Sequence, residues 1–195
     1  ADDELVEEVK RNHLRELIRK KYEIGKDELL IVTGGKINHN RPEVINLLKA
    51  VILIQKDNLK IKCIFFGNVE AGYKKESEAI ISNGSIIDIG WISSADIYKY
   101  LEAADLVAFP GLHSVLWEQA VGCGKACLFR RIKGFEHIDL NGNCMYFDDL
   151  SVEGMKKSLS IALEEGRLRK MTLVAENKGM ETFSYKDIAR RSISE

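Results

Sequence analysis

The amino-acid sequence predicts an α/β fold, a Rossmann-like open parallel sheet of about six strands with helices on both faces. Short apolar runs alternate with longer amphipathic segments along the chain, as expected for repeated βαβ units. The apolar runs are continuous rather than alternating, which is typical of parallel strands that are covered on both faces. Most of these runs end at a glycine, which marks the turn that follows the strand.

All 195 residues are expected to form a single domain, because the chain contains only two prolines and no flexible linker rich in serine and glycine. The 29 Lys and Arg residues balance 30 Asp and Glu residues, which excludes the basic surface of a general nucleic-acid binder. No apolar stretch approaches the ~20 residues of a membrane span. We expect a cytoplasmic domain. Because the chain starts without Met or a signal sequence, we also expect it to be a fragment of a longer protein.

The four cysteines lie in apolar segments and lack the spacing of a disulfide framework or a zinc site. We therefore expect buried, reduced thiols. His137 has no nearby Cys or His partner along the sequence, so we expect no metal site.

The first half of the chain opens with a leading helix within residues 1–25, with acids at its start and bases at its end. Pro42 can occupy the first position of a second helix, and a third, charged helix covers residues 70–82. The strands predicted between these helices are 29–32, 61–66 and 86–89.

In the second half, Ser93 and Asp96 resemble a capping box before a helix, and Ser114 can cap a helix that runs to Gly122. The predicted strands are 106–109, 126–129 and 144–147. The predicted closing helices are 151–165, 167–178 and 184–193, the last within a C-terminal helical segment at 180–195.

Ligands of such sheets bind beyond the carboxyl ends of the strands. The first connection there carries Gly34 and Gly35, then Lys36 and Arg41 five positions apart. Glycine lets the backbone approach a ligand closely, and both cations can bind phosphate. The Walker pattern is absent, so solvated loop charges are the alternative interpretation.

The fourth connection, residues 110–118, precedes a helix whose first turn would present free backbone N–H groups to an anion. Glu118 follows Ser114 by one helical turn and could accept two hydrogen bonds from the diol of a ribose. An exposed helix acid is the alternative for Glu118. A loop histidine without a role is the alternative for His113.

Several of these residues together resemble the donor-binding, carboxyl-terminal domain of GT-B glycosyltransferases, in particular the family 4 retaining enzymes. The family pattern from its V-S pair to E-A-M-A-C-G-x-P-V is matched by Ile92-Ser93, Ile97, Ala104-Asp105, Pro110 and EQAVGCGKAC at 118–127. The Lys36 and Arg41 pair resembles the family's G-R-x4-K-G with the cations exchanged. Gly67-Asn68 resembles the family's G-x-G, and Phe183-Ser184-Tyr185 resembles its F-S-W. The resemblance as a whole covers residues 29–193.

The resemblance implies a nucleotide-sugar site. Lys36 and Arg41 would bind the donor diphosphate, Glu118 the ribose, and the chain at Trp91-Ile92 the base. Lys36, Arg41 and Glu118 are thereby the expected catalytic residues. The expected donor-binding residues are Gly35, Gly67, Asn68, Trp91, Ile92, Gly111, His113, Ser114 and Val115, with phosphate on the amides of the last three.

The implied activity is sugar transfer from a nucleotide-sugar, with a UDP donor favoured, in bacterial surface or capsular polysaccharide synthesis. It would proceed without a metal or cofactor, since the chain has no D-x-D segment, and with retention of configuration. The acceptor domain, which precedes the donor domain in this family, is not within this chain, and any association with the inner face of a membrane would come through it. Alone, the chain should bind nucleotide weakly and transfer no sugar.

The chain departs from the pattern at Pro110, where the family's E-x7-E pair has its first glutamate, and the loop after it is about four residues short. An imidazole at His113 could partly substitute for that carboxylate. The loss leaves open a non-catalytic nucleotide-binding or interaction module on a degenerate transferase fold. A GT-B epimerase or phosphorylase is a further alternative.

Overall fold

The computed structural model describes residues 1–57 and 59–193. Across these residues it contains one sheet of six parallel strands in the order β3-β2-β1-β4-β5-β6, which confirms the predicted fold class. The strands are β1 Leu29–Gly34, β2 Ile61–Phe66, β3 Ile86–Asp88, β4 Leu106–Phe109, β5 Ala126–Arg130 and β6 Cys144–Phe147.

Helices cover both faces of this sheet. Successive strand residues point to opposite faces, so Val32 and Val107 enter one hydrophobic core while Ile31 and Leu106 enter the other. The first core is closed by α1, α2, α5 and α6, and the second by α3, α4 and α7, with α8 contributing to both. The helices are α1 Asp3–Arg11, α2 Leu14–Lys21, α3 Glu43–Lys56, α4 Lys74–Ile81, α5 Ile97–Ala103, α6 Leu116–Gly122, α7 Val152–Ala162, α8 Glu165–Phe183 and α9 Tyr185–Ile193. None of these described helices has the length and apolar character needed to cross a bilayer.

The predicted leading helix over residues 1–25 is wrong, because two helices form there. His13 adopts a left-handed conformation with φ 50°, which interrupts the helical hydrogen bonding between α1 and α2. The predicted helix over 70–82 starts as a 3-10 turn at Ala71–Tyr73, and α4 begins only at Lys74.

The prediction that a closing helix stops at residue 178 is also wrong, since α8 continues through Gly179 to Phe183. A Cβ atom on Gly179 would lie 2.0 Å from the carbonyl oxygen of Val121 in α6. This glycine therefore permits close packing of two helices and does not end one. The C-terminal helix predicted within 180–195 is α9, and residues 194 and 195 lie outside the described part of the chain.

Asp105, immediately before β4, joins the leading helices to the sheet. Its carboxylate accepts hydrogen bonds from Arg15 at 2.5 Å, from Arg19 at 3.0 Å and from the backbone N–H of Leu30 at 2.7 Å. The carboxylate is mostly buried, so its charge depends on these three donors. The Ala104-Asp105 part of the motif thus has a structural role at the amino-terminal edge of the sheet.

The Asp105→Asn variant should lower the free energy of unfolding by about 3 kcal/mol, because the partly buried guanidinium groups of Arg15 and Arg19 lose their anionic partner. Urea denaturation followed by circular dichroism measures this loss. The matched control is Asp27→Asn, which breaks an exposed ion pair to Lys60 and should leave the midpoint nearly unchanged. Equal midpoints for the two variants would contradict the role assigned to Asp105.

Candidate functional site

The strand order reverses between β1 and β4, which lie side by side in the sheet. The connection after β1 leads toward β2 on one side, and the connection after β4 leads toward β5 on the other. This topological switch opens a crevice at the carboxyl ends of both strands. Residues 34–41 and 110–118, which the sequence analysis singled out, form its two sides.

Three connections are joined by backbone hydrogen bonds along one side of this crevice. The N–H of Gly35 donates to Phe66 at 3.0 Å, the N–H of Ile37 to Asn68 at 2.9 Å, and the N–H of Gly67 to Gly90 at 2.8 Å. Gly35 and Gly67 both have positive φ, at 147° and 140°. A Cβ on Gly67 would lie 2.0 Å from the carbonyl oxygen of Gly35, so this close approach requires glycine.

A cavity of about 380 Å³ lies at the ends of β1, β2 and β3, and is called the apolar pocket below. Trp91 lies at this pocket and is 71% exposed, an unusual position for a large aromatic ring. A slot of this kind can hold a planar ring by stacking and apolar contact. The lining residues are Gly35, Lys36, Phe66, Gly67, Asn68, Trp91, Ile92, Ser93, Ser94, Ile97 and Leu116.

A second cavity of about 320 Å³ shares Gly35, Lys36 and Leu116 with the first and is called the cationic pocket. Lys36 and Arg41 both line it, and neither forms an ion pair within residues 1–57 and 59–193. Gly111, His113 and Ser114 line the opposite side. The structure thus brings the two predicted cations to the predicted loop of the fourth connection.

Ser114 does not cap α6, contrary to the sequence-based prediction. The helix begins at Leu116 after a 3-10 turn in which the N–H of Trp117 donates to Ser114 at 3.0 Å, and no side-chain capping bond forms. The backbone N–H groups of residues 113–115 form no hydrogen bond within the described part of the chain. These donors remain available to a ligand, although the side chain of Val115 is exposed and does not line either pocket.

Glu118 lies beside two histidines rather than in the lining of either pocket. Its Oε1 is 2.8 Å from Nε2 of His113 and 3.3 Å from Nε2 of His137. The interpretation of His137 as isolated is therefore wrong, because the 3-10 turn Glu136–Ile138 after β5 places it against α6. Sequence reasoning could not pair Glu118 with His137, because the two residues come from different connections.

Gln119 is a buried polar residue that the sequence analysis did not single out. Its Nε2 donates to the hydroxyl of Tyr185 at 3.2 Å, and its buried Oε1 has no hydrogen-bond partner among the described residues.

In the family pattern the glutamate stands four positions before the cysteine of its C-G pair. Counting back from Cys123-Gly124 reaches Gln119, whereas Glu118 stands five positions before Cys123. The ribose contact assigned to Glu118 stays a prediction.

Glu43, which the sequence analysis also passed over, lines the cationic pocket and is 6% exposed. A Cβ on Gly111 would lie 3.9 Å from its Oε1. A carboxylate therefore stands next to the segment where the family pattern has its first glutamate and this chain has Pro110. The sequence gives little indication of this role for Glu43, because an acidic residue after Pro42 is common in the first turn of a helix.

Another cavity, of about 620 Å³, lies at the opposite edge of the sheet. Its charged groups are largely paired with one another, as in the ion pair of Lys125 with Glu102 at 3.1 Å.

The free cysteines are buried as predicted, and burial raises the pKa of Cys123 and Cys144 to about 12. These thiols are therefore uncharged at neutral pH and poor nucleophiles.

Comparison with known proteins adds a family and a fold. The family model "Glycosyl transferases group 1" matches residues 15–175. A search of curated proteins finds no match to the chain.

Solved structures with the same fold include the Anabaena protein HepE in complex with UDP-glucose, with 16% identity and a TM-score of 0.72, covering 94% of this chain and 53% of that one. A glycosyltransferase from Rickettsia africae matches with 15% identity and a TM-score of 0.71, covering 92% and 50%. WaaG, a glycosyltransferase of lipopolysaccharide biosynthesis, matches with 18% identity and a TM-score of 0.68, covering 90% and 50%. The chain spans about half the length of these structures.

The Gly67→Ala variant should destabilise the domain by at least about 2 kcal/mol, because the new methyl group meets the Gly35 carbonyl and the positive φ is strained. Urea denaturation measures the effect. Gly72→Ala is the matched control, since a Cβ there meets nothing within 4 Å. A loss of the same size in both variants would show that the close approach of Gly35 and Gly67 is not needed.

Proposed function

The chain belongs to the group 1 glycosyl transferases, and on that basis we propose that it is the donor-binding domain of an enzyme that transfers a sugar from a nucleotide-sugar. One observation supports this most directly. An apolar pocket with an exposed tryptophan adjoins a pocket lined by two cations that form no ion pair in the described part of the chain, and both pockets lie at the switch point of a Rossmann-like sheet. A nucleotide-sugar likewise joins a planar base to a diphosphate.

The base is proposed to occupy the apolar pocket against Trp91 and Ile92, with Gly67 and Asn68 at its back. UDP is the favoured nucleotide, because the Anabaena structure of the same fold is a complex with UDP-glucose. The nucleotide-sugar is a substrate, so the proposal includes no cofactor. The acceptor would be bound by an amino-terminal domain of the same protein, as the matched structures are about twice as long.

The diphosphate is proposed to lie in the cationic pocket. Lys36 and Arg41 would stabilise the negative charge that develops on the leaving diphosphate, and the free N–H groups of residues 113–115 would donate to its oxygens. This arrangement would allow transfer without a catalytic metal. On the basis of the family resemblance, the proposal also includes retention of configuration and a cytoplasmic location. It further includes a role in bacterial surface or capsular polysaccharide synthesis.

A non-catalytic nucleotide-binding module is the second candidate, and Pro110 is the observation that favours it. The motif glutamate of that position normally contacts the transferred sugar. The buried carboxylate of Glu43 supports the catalytic proposal instead, because it brings an acceptor for sugar hydroxyls to the same pocket. Transfer from a UDP-sugar by the full-length protein would decide for the enzyme, and nucleotide binding without transfer would decide for the module.

UDP should raise the melting temperature of the chain more than GDP or ADP does, because bound ligand stabilises by RT ln(1 + [L]/Kd).

Lys36→Ala and Arg41→Ala should each weaken UDP binding about 10- to 100-fold, through loss of a charge-assisted phosphate contact. Lys74→Ala, at the start of α4, is the matched control and should bind as the unchanged chain does. Equal affinities in all three variants would refute the diphosphate site.

Glu118→Ala and Gln119→Ala test which side chain contacts the ribose. If Glu118 holds the diol, only its variant should lose affinity for UDP, by about 10-fold or more, while retaining affinity for inorganic pyrophosphate. Isothermal titration with both ligands separates ribose from phosphate contacts. An effect confined to Gln119→Ala would overturn the assignment of Glu118 and leave the diphosphate site intact.

A further inference from the structure

We propose that His113, Glu118 and His137 form a binding site for a divalent transition metal of the zinc class. One imidazole nitrogen of His113, one of His137 and a carboxylate oxygen of Glu118 all lie within 4.8 Å of one another. They come from the β4–α6 loop, from α6 and from the turn after β5. An ion bound there would link three segments of the chain.

The separations between these atoms suit a small ion. Two ligands that each lie ~2.0–2.1 Å from tetrahedral zinc are themselves roughly 3.3 Å apart. The distance from Glu118 Oε1 to Nε2 of His137 is 3.3 Å. The distance to Nε2 of His113 is 2.8 Å, a hydrogen bond that would open by about half an ångström when both atoms turn to a shared ion.

The donor set selects the class of metal. Two imidazoles and one carboxylate suit Zn²⁺, Fe²⁺, Co²⁺ or Ni²⁺, whereas Mg²⁺ and Ca²⁺ take oxygen ligands. His137 is 52% exposed, so the site faces solvent on its side. Three protein ligands leave a fourth position for water or another ligand.

Packing holds the His113 ring and the backbone of the turn that carries His137 in place before any ion binds. The ring of His113 stacks on Phe135 with centroids 4.1 Å apart and meets Trp117 edge-on at 5.2 Å. The turn that carries His137 is anchored by buried Ile138, whose carbonyl oxygen accepts a hydrogen bond from Asn143 at 3.1 Å. Little rearrangement is therefore needed for binding, which favours affinity.

The second oxygen of Glu118 is an independent observation that favours a cation. Oε2 is buried and has no hydrogen-bond partner among the described residues. A buried carboxylate oxygen without a donor is costly, and such groups usually have a partner. A divalent ion between Glu118 and the two histidines would balance the charge of this carboxylate.

Titration of the untagged, EDTA-treated chain with Co²⁺ tests the proposal without nucleotide. We expect one saturable equivalent with the visible absorption of a four- or five-coordinate site, displaced by Zn²⁺. His137→Gln and Glu118→Gln should each weaken Co²⁺ binding at least about 100-fold. His13→Asn is the matched control, because it removes an exposed histidine elsewhere and keeps a residue that tolerates positive φ.

Absence of a saturable Co²⁺ spectrum would overturn the proposal, and so would binding that persists unchanged in both ligand variants. Circular dichroism of each variant establishes that it is folded, which the exposure of His137 favours. The metal site does not depend on the proposed donor site, although both use His113. Measuring UDP binding in EDTA keeps the two results separate, so that either proposal can fail alone.

Discussion

The pairing of β1 with β2 on one side and β4 on the other is the constraint on which the site depends. Val32 pairs with Ile64 and Val107, so the ends of three strands are level with one another. Loops that are distant in sequence then leave the sheet at the same edge. The strands are buried on both faces, and this fixes the register. A shift by one residue would move every side chain of a strand from one hydrophobic core to the other. Hydrophobic packing at the middle of the sheet therefore determines where the polar groups of the site meet.

The strands were predictable because their signals are local. Strands 61–66, 106–109 and 144–147 are rich in apolar residues, interrupted only by Lys62, and match the structure at both ends. The errors lie where one residue type supports two structures. Glycine can end a helix or admit a neighbouring backbone, and only the packing of Val121 against Gly179 shows which applies. His13 breaks the leading helices through a backbone conformation that no sequence pattern signals.

The candidate site was predictable to the extent that it follows strand ends. Lys36, Arg41 and Trp91 lie where the connections after β1 and β3 were expected to place them. Glu118 contacts His113 and His137 rather than lining the crevice, and α6 starts at Leu116 after a tighter turn than the sequence predicted. The association of His137 with α6 depends on the path of a loop, which requires tertiary structure. Glu43 resembles an ordinary first-turn acid until the neighbouring loop is seen.

The buried carboxylate of Glu43 gives the cationic pocket charges of both signs. Lys36 and Arg41 attract an anion, whereas a carboxylate repels one at close range and attracts hydroxyl hydrogens instead. A ligand that carries both a negatively charged group and hydroxyl groups would suit such a pocket. The same three side chains would thus select against ligands that carry negative charge at both ends, such as bisphosphates, before any contact with a base is made.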